Sequence, residues 1–244
     1  MSVDGRYKNN IDCYFSEDDQ KLLLNKNISV IGCGGQGGYT LEFLARLGVK
    51  SLHFWDGDIF EYSNLNRQNF CSLETLGKNK AEVLRNNLSL INPNIQLFCH
   101  PYYFGIEMKK DFKEILDTDI IFNAADVNYN GFELRTILRK AIEYGVPLID
   151  YPMGLAYGYV TIETADSLKH YDCQTRHELK ADPNELIGQP AFQCAILAAG
   201  AVNQMKQYFC QRDKASVNTV LNIDFLDHKI YGQEIPCSEC PEGF

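Results

Sequence analysis

Between a short apolar run, Asn27 to Ile31, and a helical pattern from Gln36 to Leu47 lies Gly32-Cys33-Gly34-Gly35-Gln36-Gly37. Glycines at a strand-to-helix turn let the backbone approach a phosphate, and the helix N-terminus behind them offers unpaired N–H groups and the positive end of a dipole. The same alternation continues along the chain. Strands are expected at Ser51 to Trp55, Ile95 to His100, Ile120 to Ala124 and Pro147 to Tyr151, with helices at Lys78 to Ile91, Lys109 to Leu116 and Phe132 to Tyr144. Ile120 to Ala124 is continuously apolar, as parallel strands buried on both faces are. This rhythm predicts an α/β fold with a doubly wound, mostly parallel Rossmann-like sheet. After Tyr151 the pattern changes. A strand at Gly158 to Thr164 precedes a polar, irregular stretch, Asp166 to Pro190, long enough to suggest a functional loop. An alanine-rich helix, Ala191 to Phe209, and two strands within Val217 to Ile235 about Asp227-His228 complete an antiparallel C-terminal extension. One domain over 1–244 is expected, with a nucleotide-binding half (1–155) followed by crossover loop, helix and hairpin (156–244).

Composition narrows the function classes. A net charge of −9 argues against a nucleic-acid partner, whose footprint is a basic face. No apolar stretch reaches the roughly 18–20 residues a membrane helix needs, and Met1 to Gln20 is too polar for a signal peptide, so a cytoplasmic protein is expected. Nine cysteines in such a chain suggest buried thiols, a metal site or redox chemistry more than disulfides. One pair, Cys237 and Cys240, has metal-like spacing; Cys13, Cys71, Cys99 and Cys210 are read as packing or surface residues.

The glycine turn alone admits NAD or ATP. Asp56, ending the second strand, suits ribose hydroxyls in either case. The residues beyond it favour a triphosphate. Asp56-Gly57-Asp58 and Ser63-Asn64-Leu65-Asn66-Arg67-Gln68 gather polar side chains beyond a strand's C-terminal end, where open α/β sheets bind ligands. An arginine fork pairs bidentately with phosphate oxygens, and Lys80 would put a second cation near the leaving pyrophosphate. Asp126, just past the apolar Ile120 to Ala124 strand, could hold Mg²⁺. In an NAD-dependent oxidoreductase the Asn64 to Gln68 run and Lys80 would have no task.

As a set, Gly32 to Gly37, Asp56 to Asp58, Asn64 to Gln68, Gly77 to Lys80 and Asp126 resemble the ThiF/MoeB/HesA family, relatives of the adenylation domains of ubiquitin-activating enzymes. The resemblance covers nearly the whole chain. It implies an ATP-dependent adenylyltransferase with Gly34, Gly35, Asp56, Asp58, Asn64, Arg67 and Lys80 at ATP and Asp126 on magnesium; Arg67, Lys80 and Asp126 would carry catalysis. The carboxylate would be the C-terminus of a small ubiquitin-like or sulfur-carrier protein, often Gly-Gly. The alternative is a small-molecule or RNA-borne carboxylate, as in the threonylcarbamoyl-adenosine dehydratases. A structural zinc is also implied. The family often pairs two Cys-x-x-Cys units, and here Cys237 and Cys240 would join His170 and Cys173, a Cys₃His set suited to tetrahedral Zn²⁺.

Two positions depart from the family. Many members begin Arg-Tyr-x-Arg-Gln, the second arginine reaching the partner subunit's ATP in a homodimer. Here Arg6-Tyr7-Lys8-Asn9-Asn10 puts an asparagine there, with Lys8 and Arg6 as substitute cations. No clear thioester cysteine stands in the crossover loop either; Cys194, at a helix start, and Cys173 are the candidates. Trp55 is expected in the core, Tyr102-Tyr103-Phe104 as packing or, if exposed, as an apolar patch that docks a partner protein, and no role falls to His100 or His228.

Overall fold

The computed structural model describes residues 4–12, 15–105, 107–125, 131–153, 157–168, 190–210, 219–225, 227 and 229–234. Eight strands form one sheet: β1 (Asn27–Ile31), β2 (Ser51–Trp55), β3 (Gln96–His100), β4 (Ile120–Asn123), β5 (Leu148–Asp150), β6 (Tyr157–Glu163), β7 (Thr219–Asp224) and β8 (Lys229–Glu234). Their order is β3-β2-β1-β4-β5-β6-β7-β8. The first five run parallel, and β6, β7 and β8 pair antiparallel, as expected.

Side-chain alternation along the strands builds two cores. On one face Ile28, Val30, Leu52, Phe54, Ile120 and Phe122 meet helices α2 (Gly35–Leu47), α3 (Lys80–Ile91) and α6 (Ala191–Cys210). On the other, Ile31, Trp55, Ile121 and Leu148 meet α4 (Met108–Leu116) and α5 (Gly131–Glu143). The sheet is therefore wound on both faces. Helix α3 starts at Lys80 rather than Lys78 because Asn79 is its cap, the side chain accepting from Glu82 N–H. Among the described residues one α-helix is additional to those expected from the sequence. Helix α1 (Glu17–Leu23) rises from the polar N-terminal stretch, its first turn closed by a reciprocal capping box between Ser16 and Asp19. Among the described residues no helix is long and apolar enough to cross a membrane.

Candidate active site

The strand order reverses between β1 and β4, and ligands of doubly wound sheets bind beyond the strand C-termini at such a switch point. The glycine turn lies there. Gly32 leaves β1 with φ +95°, a backbone region other residues rarely adopt, and a Cβ on it would come 2.6 Å from the Ala124 carbonyl oxygen just past β4. The turn is thus pressed against the exit of the neighbouring strand, and Gly35 opens α2 behind it.

Asp56 follows β2 and is buried. One carboxylate oxygen accepts from Cys33 N–H in the glycine turn (2.7 Å) and the other from Asp58 N–H (2.8 Å). Burial pushes its carboxyl above the usual range; Lys80 and these two N–H groups oppose that. The carboxylate therefore braces the turn from inside.

Arg67 reaches the turn from the other side. Its stem lies against Gly35, and its guanidinium donates to Ser63 O (2.9 Å) and Asn66 Oδ1 (3.0 Å). Gln68 is buried, its Nε2 beside Gly34 and its Oε1 without a hydrogen-bond partner. Asn64 accepts from Glu61 N–H (3.1 Å), so it holds the short 3₁₀ turn, Tyr62–Asn64, that precedes Arg67.

Lys80 is almost fully buried at the start of α3 and ion-pairs with Asp58 (2.9 Å). Tyr103 also donates its hydroxyl to Asp58. Burial would raise the Asp58 carboxyl, but the Tyr103 and Lys80 hydrogen bonds outweigh it and hold it below its ordinary value. Tyr103, expected to pack or to dock a partner protein within an apolar patch, is thus a polar member of the site and covers Gly57. Nothing in its local sequence signals this, because Asp58 is 45 residues away. Gln68, by contrast, stands inside the Asn64 to Gln68 run that pointed to ATP.

The structure thus brings Gly34, Gly35, Asp56, Asp58, Asn64, Arg67 and Lys80 to one crevice. Asp126, His170, Cys173, Cys237 and Cys240 lie outside the described residues. Cys194 sits in the first turn of α6, fully buried, with its sulfur 3.0 Å from where a Cβ on Gly35 would stand. Burial raises its thiol pKa, against the opposing pull of Arg67, which disfavours the thiolate a nucleophile needs. At the N-terminus Arg6 is held within its own chain by Asn92 Oδ1, while Lys8 and Asn9 are exposed. Of the two substitute cations, only Lys8 is left uncommitted to that bond.

A model of the ThiF family matches residues 7–242. The probable adenylyltransferase/sulfurtransferase MoeZ of Mycobacterium tuberculosis is 32% identical over 153 residues, covering 58% of this chain and 39% of MoeZ. The SUMO-activating enzyme subunit uba-2 of Caenorhabditis elegans is 30% identical over 199 residues, 78% of this chain and 32% of that subunit. The tRNA threonylcarbamoyladenosine dehydratase of Bacillus subtilis is 28% identical, with 56% and 52% covered. The chain spans about half or less of the length of these relatives. Among solved structures, Escherichia coli MccB with ATP superposes with a TM-score of 0.74 at 20% identity, covering 95% of this chain and 71% of MccB. PaaA superposes equally well at 21% identity, covering 96% and 75%. At such identities these structures bear on the fold alone. With the family model spanning the glycine turn, the crevice and the C-terminal strands, the chain belongs to the ThiF family.

Proposed function

We propose that this chain is an adenylyltransferase that activates the C-terminal carboxylate of a small ubiquitin-like or sulfur-carrier protein with ATP. A carboxylate oxygen attacks the α-phosphorus, the bond to the β-phosphate breaks, and pyrophosphate leaves with its electron pair. The observation that carries this reading is Arg67 laid over Gly35 at the N-terminus of α2, with Asp56 and Lys80 at the same crevice. A carboxylate needs no general base to attack phosphorus, so the residues act by positioning and by neutralising charge. Asp56 holds the ribose, the N–H groups of the turn and Arg67 take the phosphates, and Lys80 exchanges Asp58 for the pyrophosphate as it departs. Asp126 would hold Mg²⁺, whose chemistry is to neutralise phosphate charge, and a carboxylate is the donor that ion prefers. His170, Cys173, Cys237 and Cys240 would hold a structural Zn²⁺, which suits their three thiolates and one imidazole. A homodimer belongs to the same reading, with Lys8 as the cation that substitutes for the family's second arginine, whose place Asn9 takes.

The name of MoeZ supports adenylyl transfer and that of uba-2 a protein carboxylate, whereas the dehydratase supports a small-molecule or RNA-borne one. The charge of −9 weighs against RNA. Exchange of labelled pyrophosphate into ATP separates the two. Exchange that starts only when a Gly-Gly-ending carrier protein is added supports the proposal; exchange with metabolite carboxylates alone replaces it with the second reading.

A further inference from the structure

A second cluster lies on the opposite face of the sheet. His53 and Trp55 on β2, and Phe98 and His100 on β3, point to one side by strand alternation, and their pairing (His53 with Phe98, Trp55 with His100) makes them neighbours. Helix α4 covers them with Asp111 and Glu114, three residues apart and so on one helical face. Glu114 Oε2 lies 2.7 Å from His100 Nε2 and 3.6 Å from His53 Nδ1. All three atoms lie within 4.8 Å of one another. All three atoms are buried, and none makes a hydrogen bond. Two ring nitrogens thus converge on one buried carboxylate oxygen, and buried polar atoms that make no hydrogen bond are rare. Ser29, whose buried Oγ also lacks a hydrogen-bond partner, pairs with His53 in the sheet register.

We propose that His53, His100 and Glu114 form a divalent transition-metal site of zinc type that clamps α4 to the β2–β3 edge of the sheet. Two imidazoles and one carboxylate are a common zinc donor set, leaving the fourth position to water. Bonds of about 2.0–2.2 Å put tetrahedral ligand atoms about 3.3–3.6 Å apart, which side-chain rotation must reach from His–Glu separations of 2.7 and 3.6 Å and a His–His separation within 4.8 Å. The outer groups suit the role. His100 Nδ1 faces the Tyr102 hydroxyl (3.4 Å), which donates to Asp111 Oδ1 (3.0 Å), so Nε2 is the nitrogen turned to the metal. Trp55 stacks on His100 and Phe98 on His53, fixing both rings. Glu114 and His53 keep 22% and 15% of their side-chain exposure, which leaves a path for entry. The site is independent of the adenylation reading, although His100 also joins the crevice through its carbonyl, which accepts from Asp56 N–H (3.1 Å).

The test uses the full chain carrying Cys237→Ser and Cys240→Ser, which removes the other expected zinc site. Chelator-stripped protein is titrated with Zn²⁺ against a chromophoric competitor, and with Co²⁺ by absorption. The expected result is one equivalent of zinc, a cobalt spectrum without a thiolate charge-transfer band, and a rise in Tm on metal addition. Glu114→Gln and His53→Asn should each weaken zinc by well over tenfold, while circular dichroism of the metal-free variants matches the metal-free parent. No uptake in this background overturns the proposal, as does affinity unchanged in either variant. The two variants stand in for one another should one fail to fold.

Discussion

Gly35 is the residue on which the crevice turns. A methyl group there would sit 3.0 Å from Cys194 Sγ, which must give, and at ordinary contact distance, 3.7 Å, from Arg67 Cγ. Overpacking of this kind costs about 1–3 kcal/mol. Gly35→Ala is therefore expected to lower stability by that amount in urea melts through the displaced Cys194 sulfur. Adding Cys194→Ala, which removes the obstructing sulfur, should recover most of the stability; simple additivity of the two changes would contradict this packing. Cys194→Ala alone should leave exchange within about twofold and cost about 1 kcal/mol from lost burial, because a buried, raised thiol is a packing group. Much of this residue scale was legible in advance. Asp56, Arg67 and Lys80 follow strand ends or open a helix, where sequence position and spatial position coincide. The bond from Tyr103 to Asp58 was not legible, because it joins residues on separate elements and nothing in the local pattern of either marks the other.

At the scale of elements, α5 is tied to β5 by a buried ion pair. Arg135 lies 3.4 Å from Asp150, both side chains nearly inaccessible, and Asn123 on β4 donates to the same carboxylate (3.1 Å). Burial raises the Asp150 carboxyl, with Arg135 the chief opposing influence. Removing one partner of such a pair leaves an uncompensated buried charge, which costs about 3–5 kcal/mol. Arg135→Met and Asp150→Asn are each expected to lower the unfolding free energy by that order, since each removes the charge that faces a buried partner; a loss below about 1 kcal/mol in either urea melt would contradict the charge explanation. Strands and long helices were readable because their apolar periods are strong. Helix α1 was not, because its seven residues carry four charges and its start is marked by the capping box of Ser16 and Asp19 rather than by an apolar stripe. His53, His100 and Glu114 were equally hidden. They stand 47 and 14 residues apart along the chain, and only the β2–β3 register and the seating of α4 bring them together.

At the scale of the whole molecule, the sheet serves two faces and two sites. The C-terminal ends of β1, β2 and β4 frame the crevice, and the edge made by β2 and β3 holds the His–Glu cluster beneath α4. Membership of the ThiF family, the doubly wound sheet and the convergence of Gly35, Asp56, Arg67 and Lys80 support the same proposal, that this chain activates a carboxylate by adenylation. Its most direct test is ATP–pyrophosphate exchange by the native chain and by Arg67→Ala, side by side with a Gly-Gly-ending carrier protein. Loss of a positioned donor to transition-state charge typically costs about 10²–10³-fold. Adenylation through Arg67 predicts carrier-dependent exchange in the native chain and a fall of that size in the variant, with an unchanged melting temperature. Exchange surviving in Arg67→Ala near the native rate would contradict it.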